Sequence, residues 1–350
     1  MNNKRILTVS VLVFGLAACK VDPKINQPLP VDDLVITVPN GWPEPVYTFS
    51  NNPISKETFA LGRALFYETM LSKDNTISCG SCHQNFAAFA NDDHQFSHGV
   101  NDQLGIRNSP GLFNLAWHPY FMHDGGINHI EVQPLGPISN PIEMAEDINT
   151  VMAKLSASGK YKSLFKEAYG TEEVTSQRMF RAMAQFMGLL YSNNSKYDYY
   201  KRQENNVTLN EQELRGYSLF IAKCNTCHKE PLFTDFQFRN NGLKVNPLLK
   251  DSGRAHITGE PGDVYKYKTP SLRNVALTYP YMHDGRLTTL EECLDHYTNG
   301  IQNTINLDPK LKDGIPMSAE EKKDIIAFLR TLTDYKFIND QRFADPNFPR

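Results

Sequence analysis

"CGSCH" at residues 79–83 and "CNTCH" at residues 224–228 decide the fold of this chain. Each stretch holds two cysteines separated by two residues, followed at once by a histidine. This C-x-x-C-H pattern is the attachment signature of c-type haem, because two thiols bond to the porphyrin and the adjacent histidine binds the iron. The sequence therefore predicts two covalently bound haems. Their attachment residues are Cys79, Cys82, His83, Cys224, Cys227 and His228.

Two other kinds of site also use closely spaced cysteines. A pair of disulfides would not require a histidine at the same position in both motifs. A four-thiolate zinc site would leave both histidines without a role. Haem attachment accounts for all six residues, so we expect it rather than either alternative.

The two motifs belong to a longer internal repeat. "SPGLFNLAWHPYFMHDGG" at 109–126 and "TPSLRNVALTYPYMHDGR" at 269–286 align without a gap, and both contain "MHDG" in register. Similar amphipathic segments, 61–71 and 214–224, precede the two haem motifs. A repeat of this length indicates a duplicated structural unit. The unit predicted here is a cytochrome c-like domain of a few helices around one haem.

The predicted fold is mostly α, with two cytochrome c-like haem domains in tandem and long loops wrapping the haems. Residues 175–191 have apolar side chains at helical spacing, and "SAEEKKDIIAFLRTL" (318–332) opens with a capping box. Strand signals are sparse apart from "LVITV" at 34–38. We place the first domain at residues 52–205 and the second, which includes the C-terminal tail, at residues 206–350.

The N-terminus has the order of a secretory signal peptide. Basic residues precede an apolar run at 6–16, and "LAAC" ends at Cys19. This ending resembles a bacterial lipobox, so residues 1–19 are a lipoprotein-type signal with a lipid anchor at Cys19; a plain secretory signal is the alternative. Either puts the mature protein outside the cytoplasm, on the periplasmic side. Residues 20–51 are rich in proline and form a predicted spacer.

Taken together, the haem motifs, "RNSP" (107–110) and "LRNVALTYPYMHDG" (272–285) resemble the bacterial di-haem cytochrome c peroxidase family, which includes MauG. The resemblance extends over residues 52–335. It implies that the N-terminal domain is peroxidatic and that the C-terminal domain transfers electrons. In this family a calcium ion lies between the domains, and the matching ligand positions here are Asn108, Thr278 and Pro280, a set of hard oxygen donors.

The resemblance also implies a peroxide pocket formed by Gln133, Pro137 and Glu143. Splitting the O–O bond moves a proton from one oxygen to the other, which a carboxylate can carry, while an amide can hold the bound oxygen. A second interpretation of Glu143 is a helix N-terminal charge, because "NPIEMAEDI" (140–148) has the pattern of a helix start. Glu146 is expected on a solvated helix face.

Two positions depart from the family pattern on the first half of the chain. His123 stands where many members carry a tryptophan between the haems, and imidazole is harder to oxidise than indole, so transfer between haems would rely on tunnelling through the intervening atoms. His98, in the loop 92–110, matches a histidine that caps the first iron in some members. The loop length differs, however, and a solvated loop histidine above an open iron is the alternative.

A third departure lies in "EECLDHYTNG" (291–300), where Tyr297 occupies the position of the methionine that binds the second iron in many peroxidases. MauG-type members carry a tyrosine here. A helix over 288–298 would direct Tyr297 inward and His296 towards solvent. Tyr297 is therefore a candidate distal ligand of the second haem, with a packed core tyrosine as the alternative. Cys293, Met122 and Met282 are expected to pack without binding metal.

These features predict an enzyme that reduces hydrogen peroxide at the first haem, with electrons from cytochrome c or a similar small donor. A MauG-like oxidase acting on a partner protein is the first alternative, and a non-catalytic di-haem electron carrier is the second. The net charge of −3 gives no basis for nucleic-acid binding. Contact with a membrane would be through the lipid anchor alone, and a homodimer is expected by analogy with the peroxidases.

Overall fold

The computed structural model describes residues 34–92 and 94–347, so the expected signal peptide and Cys19 lie outside the described residues. The fold is mainly helical with little sheet, as predicted. In the described residues the α-helices are α1 (Lys56–Phe66), α2 (Cys79–Cys82), α3 (Leu135–Ser139), α4 (Ile148–Ala157), α5 (Gly159–Tyr169), α6 (Ser176–Gly188), α7 (Lys196–Arg202), α8 (Glu211–Lys223), α9 (Ala255–Thr258), α10 (Leu290–Asp295), α11 (Ala319–Arg330) and α12 (Tyr335–Ile338).

Short elements connect the helices. Single 3₁₀ turns cover Thr69–Leu71, Asn85–Ala87, Val100–Asp102, Leu115–Trp117, Ile130–Val132, Pro261–Asp263, Val275–Leu277 and Pro309–Leu311, and a π-helical turn covers His296–Gly300. The strands β1 (Phe238–Arg239) and β2 (Tyr267–Lys268) pair antiparallel, with Phe238 opposite Lys268. No described helix is long and apolar enough to cross a membrane.

Two hydrophobic cores organise these elements. The first lies around α1, α5 and α6, where buried Phe66 and Phe186 meet with ring centroids 5.0 Å apart. The second lies around α8 and α11, where Phe220 and Phe328 meet at 5.1 Å. The crossings α1–α6 and α8–α11 each place a glycine, Gly62 or Gly216, against backbone that would collide with a Cβ atom. These close crossings let the apolar faces of paired helices bury each other.

The two copies of the "MHDG" segment share their local conformation. Met122 and Met282 both have positive φ, at 64° and 73°. The chain then closes an antiparallel bridge in each copy, Phe121 with Ile127 and Tyr281 with Leu287. Similar sequences in the two halves of the chain thus fold in a similar way.

The described part of the expected spacer is irregular, but it packs on the first core. "LVITV" forms no strand, because no neighbouring chain segment pairs with it and Leu34 is buried in the first core instead. Further along, Trp117 Nε1 donates to Pro43 O across 2.7 Å, and Tyr47 N donates to Ala116 O across 2.9 Å. Residues 34–51 therefore belong to the folded unit.

Candidate active site

The first attachment motif is a single helical turn with its histidine held in place. Cys79 and Cys82 begin and end α2, and His83 follows as the C-cap residue. His83 Nδ1 lies 2.8 Å from Phe89 O, so Nδ1 is assigned as the protonated nitrogen and donates there, which leaves Nε2 as the metal-binding nitrogen. Burial lowers the pKa of His83, so the imidazole stays neutral, the form that binds metal.

The second attachment motif repeats this arrangement. Cys224 caps the C-terminus of α8, and Cys227 and His228 follow in the next turn. His228 Nδ1 lies 3.2 Å from Phe233 O and 3.1 Å from Pro270 O. Both motifs therefore combine two thiols with an imidazole whose Nδ1 is hydrogen-bonded to a backbone carbonyl, which is the donor set that c-type haem requires.

The alternatives for the cysteines do not fit the described residues. All five of their cysteines are free thiols, which excludes the disulfide interpretation. In 34–92 and 94–347 no group of three or more histidine, cysteine or acidic side chains is placed to hold a metal ion. When haem is bound, it would be held by the thiols and by Nε2 of each histidine.

Glu143 lies close to the first attachment motif. Asn140 Nδ2 donates to Glu143 Oε1 across 2.7 Å. Burial raises the pKa of the Glu143 carboxyl, and the hydrogen bond from Asn140 partly offsets this shift. Burial also raises the pKa of Cys79 to about 12 and that of Cys82 above its ordinary value, and the charge of Glu143 adds to both shifts. The carboxylate is thus within electrostatic reach of both first-motif thiols.

The helix-start interpretation of Glu143 is wrong. Glu143 lies in a turn between α3 and α4, and α4 begins only at Ile148 because Asp147 caps it, accepting from Asn149 N at 2.8 Å. The expectation that Glu146 is solvated is also wrong. Its side chain is 9% exposed and pairs with Lys154 Nζ at 2.6 Å, because the turn directs it towards α4 rather than along a helix surface.

The loop that carries His98 packs directly on the Glu143 turn. Val100 N donates to Glu143 O across 2.8 Å. A Cβ atom on Gly99 would lie 2.1 Å from Ile142 O, so only glycine allows this approach. The His98 side chain is 43% exposed, and its Nδ1 pairs with the Asp102 carboxylate. The loop therefore shapes the Glu143 site, while His98 itself lies at the surface.

Of the other two predicted pocket residues, Pro137 is bonded to this turn and Gln133 lies beside Met122. Gln133 ends the Ile130–Val132 turn, and its Nε2 approaches Met122 Sδ at 3.9 Å. Pro137 lies in α3, and its carbonyl accepts from Met144 N across 3.2 Å. Gln133 is thus next to the first "MHDG" copy, and Pro137 is bonded to the residue that follows Glu143.

His123 lies where the two halves of the chain meet. Its Nε2 lies 2.8 Å from Asn108 O, and Asn108 N donates to His283 O across 2.9 Å. Lys268 N donates to His123 O across 2.7 Å. Burial lowers the pKa of His123 to about 4, so its imidazole is neutral. The position predicted to lie between the haems is therefore linked to the second "MHDG" copy through Asn108.

One of the predicted calcium ligands, Asn108, makes hydrogen bonds to backbone carbonyls through its side-chain amide nitrogen. Asn108 is 6% exposed, and its Nδ2 donates to His94 O at 3.3 Å and Gln95 O at 3.2 Å. Asn108 N bonds to His283, only three residues after Pro280, so the two segments that would supply the ligands are close. The side-chain oxygen of Asn108 and the carbonyls of Thr278 and Pro280 would be the ion's donors.

Tyr297 lies at the second attachment motif. It belongs to the His296–Gly300 π turn and packs against the second core. Burial raises the pKa of Tyr297 to about 12, although a hydrogen bond from Asn241 lowers it; the charges of Cys293, Cys227 and Cys224 also raise it. The phenol is therefore close to the thiols that would hold the second haem.

The prediction that His296 faces solvent is wrong. His296 is 8% exposed, and its Nε2 lies 3.0 Å from Asn241 O. The predicted helix over 288–298 is regular only as far as Asp295, and the wider π turn that follows rotates His296 inward. The Asn241 carbonyl then satisfies the buried ring nitrogen, so burial of the imidazole costs little.

Sequence reasoning missed the two asparagines that position the candidate residues. Asn140 holds Glu143, and Asn241 contacts both His296 and Tyr297; its Nδ2 also donates to Met282 Sδ at 3.4 Å. Met282, like Met122, thus packs against an amide. The "NP" at 140–141 and the "NG" at 241–242 are turn signals, but a turn signal does not identify which side chain the turn will support.

Comparison with known proteins agrees with this geometry. The family model described as di-haem cytochrome c peroxidase matches residues 56–206. The chain is 35% identical to the methylamine utilization protein MauG of Methylorubrum extorquens, over 83% of this chain and 82% of that protein. It is 32% identical to the cytochrome c551 peroxidase of Nitrosomonas europaea, over 94% of this chain and 92% of that protein.

A solved structure shares most of this fold. A MauG-like protein associated with microbial copper homeostasis superposes with a TM-score of 0.81 at 33% identity, over 89% of this chain and 98% of that one. The haem motifs, the mainly helical fold and these relatives define a c-type haem oxidoreductase. The chain belongs to the family of di-haem cytochrome c peroxidases and MauG.

Proposed function

We propose that this enzyme reduces hydrogen peroxide to water at its N-terminal haem, with electrons that enter through the C-terminal haem from a small donor such as cytochrome c. The observation that carries the proposal is the position of Glu143. A half-buried carboxylate with a raised pKa lies within electrostatic reach of the first pair of haem-attachment thiols. Such a group is suited to general acid–base chemistry near neutral pH.

The roles of the side chains follow from their contacts. Bound haem supplies the redox chemistry, and the protein supplies proton transfer and orientation. Asn140 holds Glu143 Oε1 through a hydrogen bond. The other carboxylate oxygen, Oε2, therefore takes the proton from one oxygen of the peroxide and returns it to the other. Gln133 would donate its amide hydrogen to the bound oxygen, and Pro137 would shape the pocket wall.

The proposal includes two haem domains in tandem, 52–205 and 206–350. Two separate cores support this division, one around the packed helices α1 and α6 and the other around α8 and α11. The matching conformations of the two "MHDG" segments also support it. The contact of His123 with Asn108, and that of Asn108 with His283, support a junction through which electrons would pass. His98 is proposed as a surface residue rather than a ligand, on the basis of its exposure and its pairing with Asp102.

A MauG-like oxidase acting on a partner protein is the second candidate, and Tyr297 is the observation that favours it. The phenol lies beside Cys224 and Cys227; burial raises its pKa to about 12, and the Asn241 hydrogen bond partly offsets this shift. Phenolate is a known protein ligand of haem iron and, as an anion, would stabilise oxidised iron better than a neutral thioether. The relative named MauG is consistent with this alternative.

Several finer points belong to the same proposal. One calcium ion would bind Asn108, Thr278 and Pro280; metal analysis of the purified holoprotein before and after treatment with a chelator tests this. The enzyme would be exported to the periplasm and lipid-anchored at Cys19, which mass spectrometry of the mature N-terminus tests. It would form a homodimer, and sedimentation equilibrium of the soluble portion would show its mass.

The experiment that tests the function is steady-state turnover of the holoenzyme with hydrogen peroxide and reduced cytochrome c. The proposal predicts two cytochromes oxidised for each peroxide consumed, which is the electron balance for forming water. Consumption of peroxide without cytochrome oxidation would favour the protein oxidase. Two low-spin ferric haems that do not react with peroxide would exclude both and leave the electron carrier.

A further inference from the structure

Tyr267 lies where the two halves of the chain meet, and it has no role in the peroxide chemistry proposed above. Its ring stacks on the imidazole of His283, with centroids 3.8 Å apart and planes 12° from parallel. The residue belongs to β2, opposite Arg239 of β1, so its backbone is fixed. Among natural side chains, only tyrosine and tryptophan combine an aromatic ring with oxidation that is readily accessible to a haem enzyme.

Two short routes connect this ring to His123. In the first, Lys268, the next residue in the chain, donates its backbone N–H to His123 O across 2.7 Å. In the second, His283 O accepts from Asn108 N at 2.9 Å, and Asn108 O lies 2.8 Å from His123 Nε2. Tyr267 is thus joined to both "MHDG" copies by covalent bonds, single hydrogen bonds and one ring stack.

The phenol also has a base to receive its proton. The Tyr267 hydroxyl is hydrogen-bonded to Asp251, whose carboxylate is only 5% exposed. Arg107 binds this carboxylate at two points, with Nε 2.7 Å from Oδ2 and the second terminal nitrogen 2.8 Å from Oδ1. Burial by itself would raise the pKa of Asp251, but the hydrogen bonds and charge of Arg107 outweigh it and keep the group ionised.

We propose that Tyr267 is a redox relay between the two haem domains, taking the place of the tryptophan that this chain lacks at position 123. When the haems have been oxidised by peroxide, Tyr267 loses one electron to them and its phenolic proton to Asp251, which leaves a neutral tyrosyl radical. An electron from the donor then restores the phenol as the proton returns from Asp251. The oxidant comes from the proposed peroxide chemistry, so the inference rests on that function.

The charges around the ring favour this route over a radical cation. Arg107 lies 5.7 Å from the Tyr267 ring centroid and would repel a positive ring. A neutral radical avoids this repulsion, since the proton remains on Asp251. His283 is neutral because burial lowers its pKa to about 4, so the imidazole stacked on the phenol adds no opposing charge.

The test uses the holoenzyme with both haems, mixed with one equivalent of hydrogen peroxide without a donor and frozen for electron paramagnetic resonance. We expect an organic radical signal whose hyperfine pattern narrows when the protein contains ring-deuterated tyrosine. Tyr267→Phe keeps the stacking but removes the phenol, and should lose the signal. Tyr161→Phe is the control, because Tyr161 is a buried phenol that bonds a carboxylate, Glu68, at 2.7 Å, but lies in α5.

The outcomes separate the relay from the peroxidase itself. Suppose that peroxide changes the haem spectrum and turnover is normal. The relay alone is then overturned if no deuterium-sensitive signal appears, or if the signal is intact in Tyr267→Phe. Haem spectra that do not respond to peroxide in the unaltered protein would overturn both. If Tyr267→Phe does not fold, Asp251→Asn replaces it: the phenol then lacks its base, and persistence of the same radical yield would contradict the proposal.

Discussion

Asn140 and Glu143 form a hydrogen-bonded pair, with Nδ2 2.7 Å from Oε1, in the turn between α3 and α4. The pair matters because burial and the asparagine act in opposite directions on the Glu143 carboxyl. Burial raises its pKa, and the donated hydrogen bond lowers it. The asparagine also fixes which carboxylate oxygen is available for proton transfer.

The first prediction concerns pH. Glu143 must be ionised to accept a proton from peroxide, so the rate of reaction with peroxide should rise as pH increases through its pKa, which lies above the ordinary glutamate value. Asn140→Ala removes the hydrogen bond that favours the carboxylate, so the pKa rises further and the midpoint should move to higher pH. Stopped-flow measurement of the haem absorbance across pH reports this midpoint. A midpoint shifted to lower pH in Asn140→Ala would contradict the assignment.

The second prediction concerns packing of the loop on the Glu143 turn. Gly99→Ala would push a methyl group into Ile142 O, and overpacking of this kind costs about 1–3 kcal/mol. Gly105→Ala is the matched control in the same loop, since its nearest neighbour would be 3.7 Å away. Denaturant unfolding should show a loss of stability for Gly99→Ala and little change for Gly105→Ala. Equal stabilities would show that the loop does not press on the turn.

The third prediction concerns Tyr297. In the second candidate function Tyr297 binds the second iron as a phenolate. Tyr297→Met would then replace an anionic donor by a neutral thioether, so the reduction potential of the second haem should rise and its ferric spectrum should change. Tyr281→Phe serves as the control, because Tyr281 lies in the same core and its hydroxyl only donates to Val275 O, at 3.0 Å. Redox titration followed by optical spectroscopy measures both variants. A second-haem spectrum unaffected by Tyr297→Met would mean that the tyrosine only packs.

The fourth prediction concerns His98. Because we propose His98, which is 43% exposed and paired with Asp102, as a surface residue rather than a ligand, His98→Ala should leave the ferric spin state of the first haem unchanged. Electron paramagnetic resonance of the resting holoprotein measures this directly. Conversion of a low-spin signal to a high-spin one in the variant would show instead that His98 caps the iron.

The sequence predicted the parts of the site that depend on local spacing. Cys79, Cys82 and His83 are defined by a five-residue pattern, and this pattern coincides with the single helical turn α2. The resemblance to a known family pointed to Glu143, which lies within electrostatic reach of the first-motif thiols, whereas the alternative interpretation as a helix start is wrong. The catalytic role of Glu143 itself stays a prediction.

The predictions that failed depended on regular helix geometry or on distant partners. His296 was assigned to the surface on a 3.6-residue period, which the π turn after Asp295 interrupts. Glu146 is buried because Lys154 neutralises it. The supporting role of Asn241 could not be predicted, because its contact with His296 joins residues 55 positions apart in the chain. Such contacts are set by the tertiary fold rather than by neighbouring sequence.

The central claim is that Glu143 carries the proton when peroxide is split at the first haem. Glu143→Gln keeps the shape and the hydrogen-bonding capacity but removes the base, whereas Glu146→Gln alters a neighbouring buried carboxylate that pairs with Lys154. The decisive measurement is the stopped-flow rate of haem oxidation by peroxide in both variants. We predict that Glu143→Gln slows it by about 10²- to 10⁴-fold while Glu146→Gln does not; an unchanged rate in Glu143→Gln, with both haems bound, would contradict the claim.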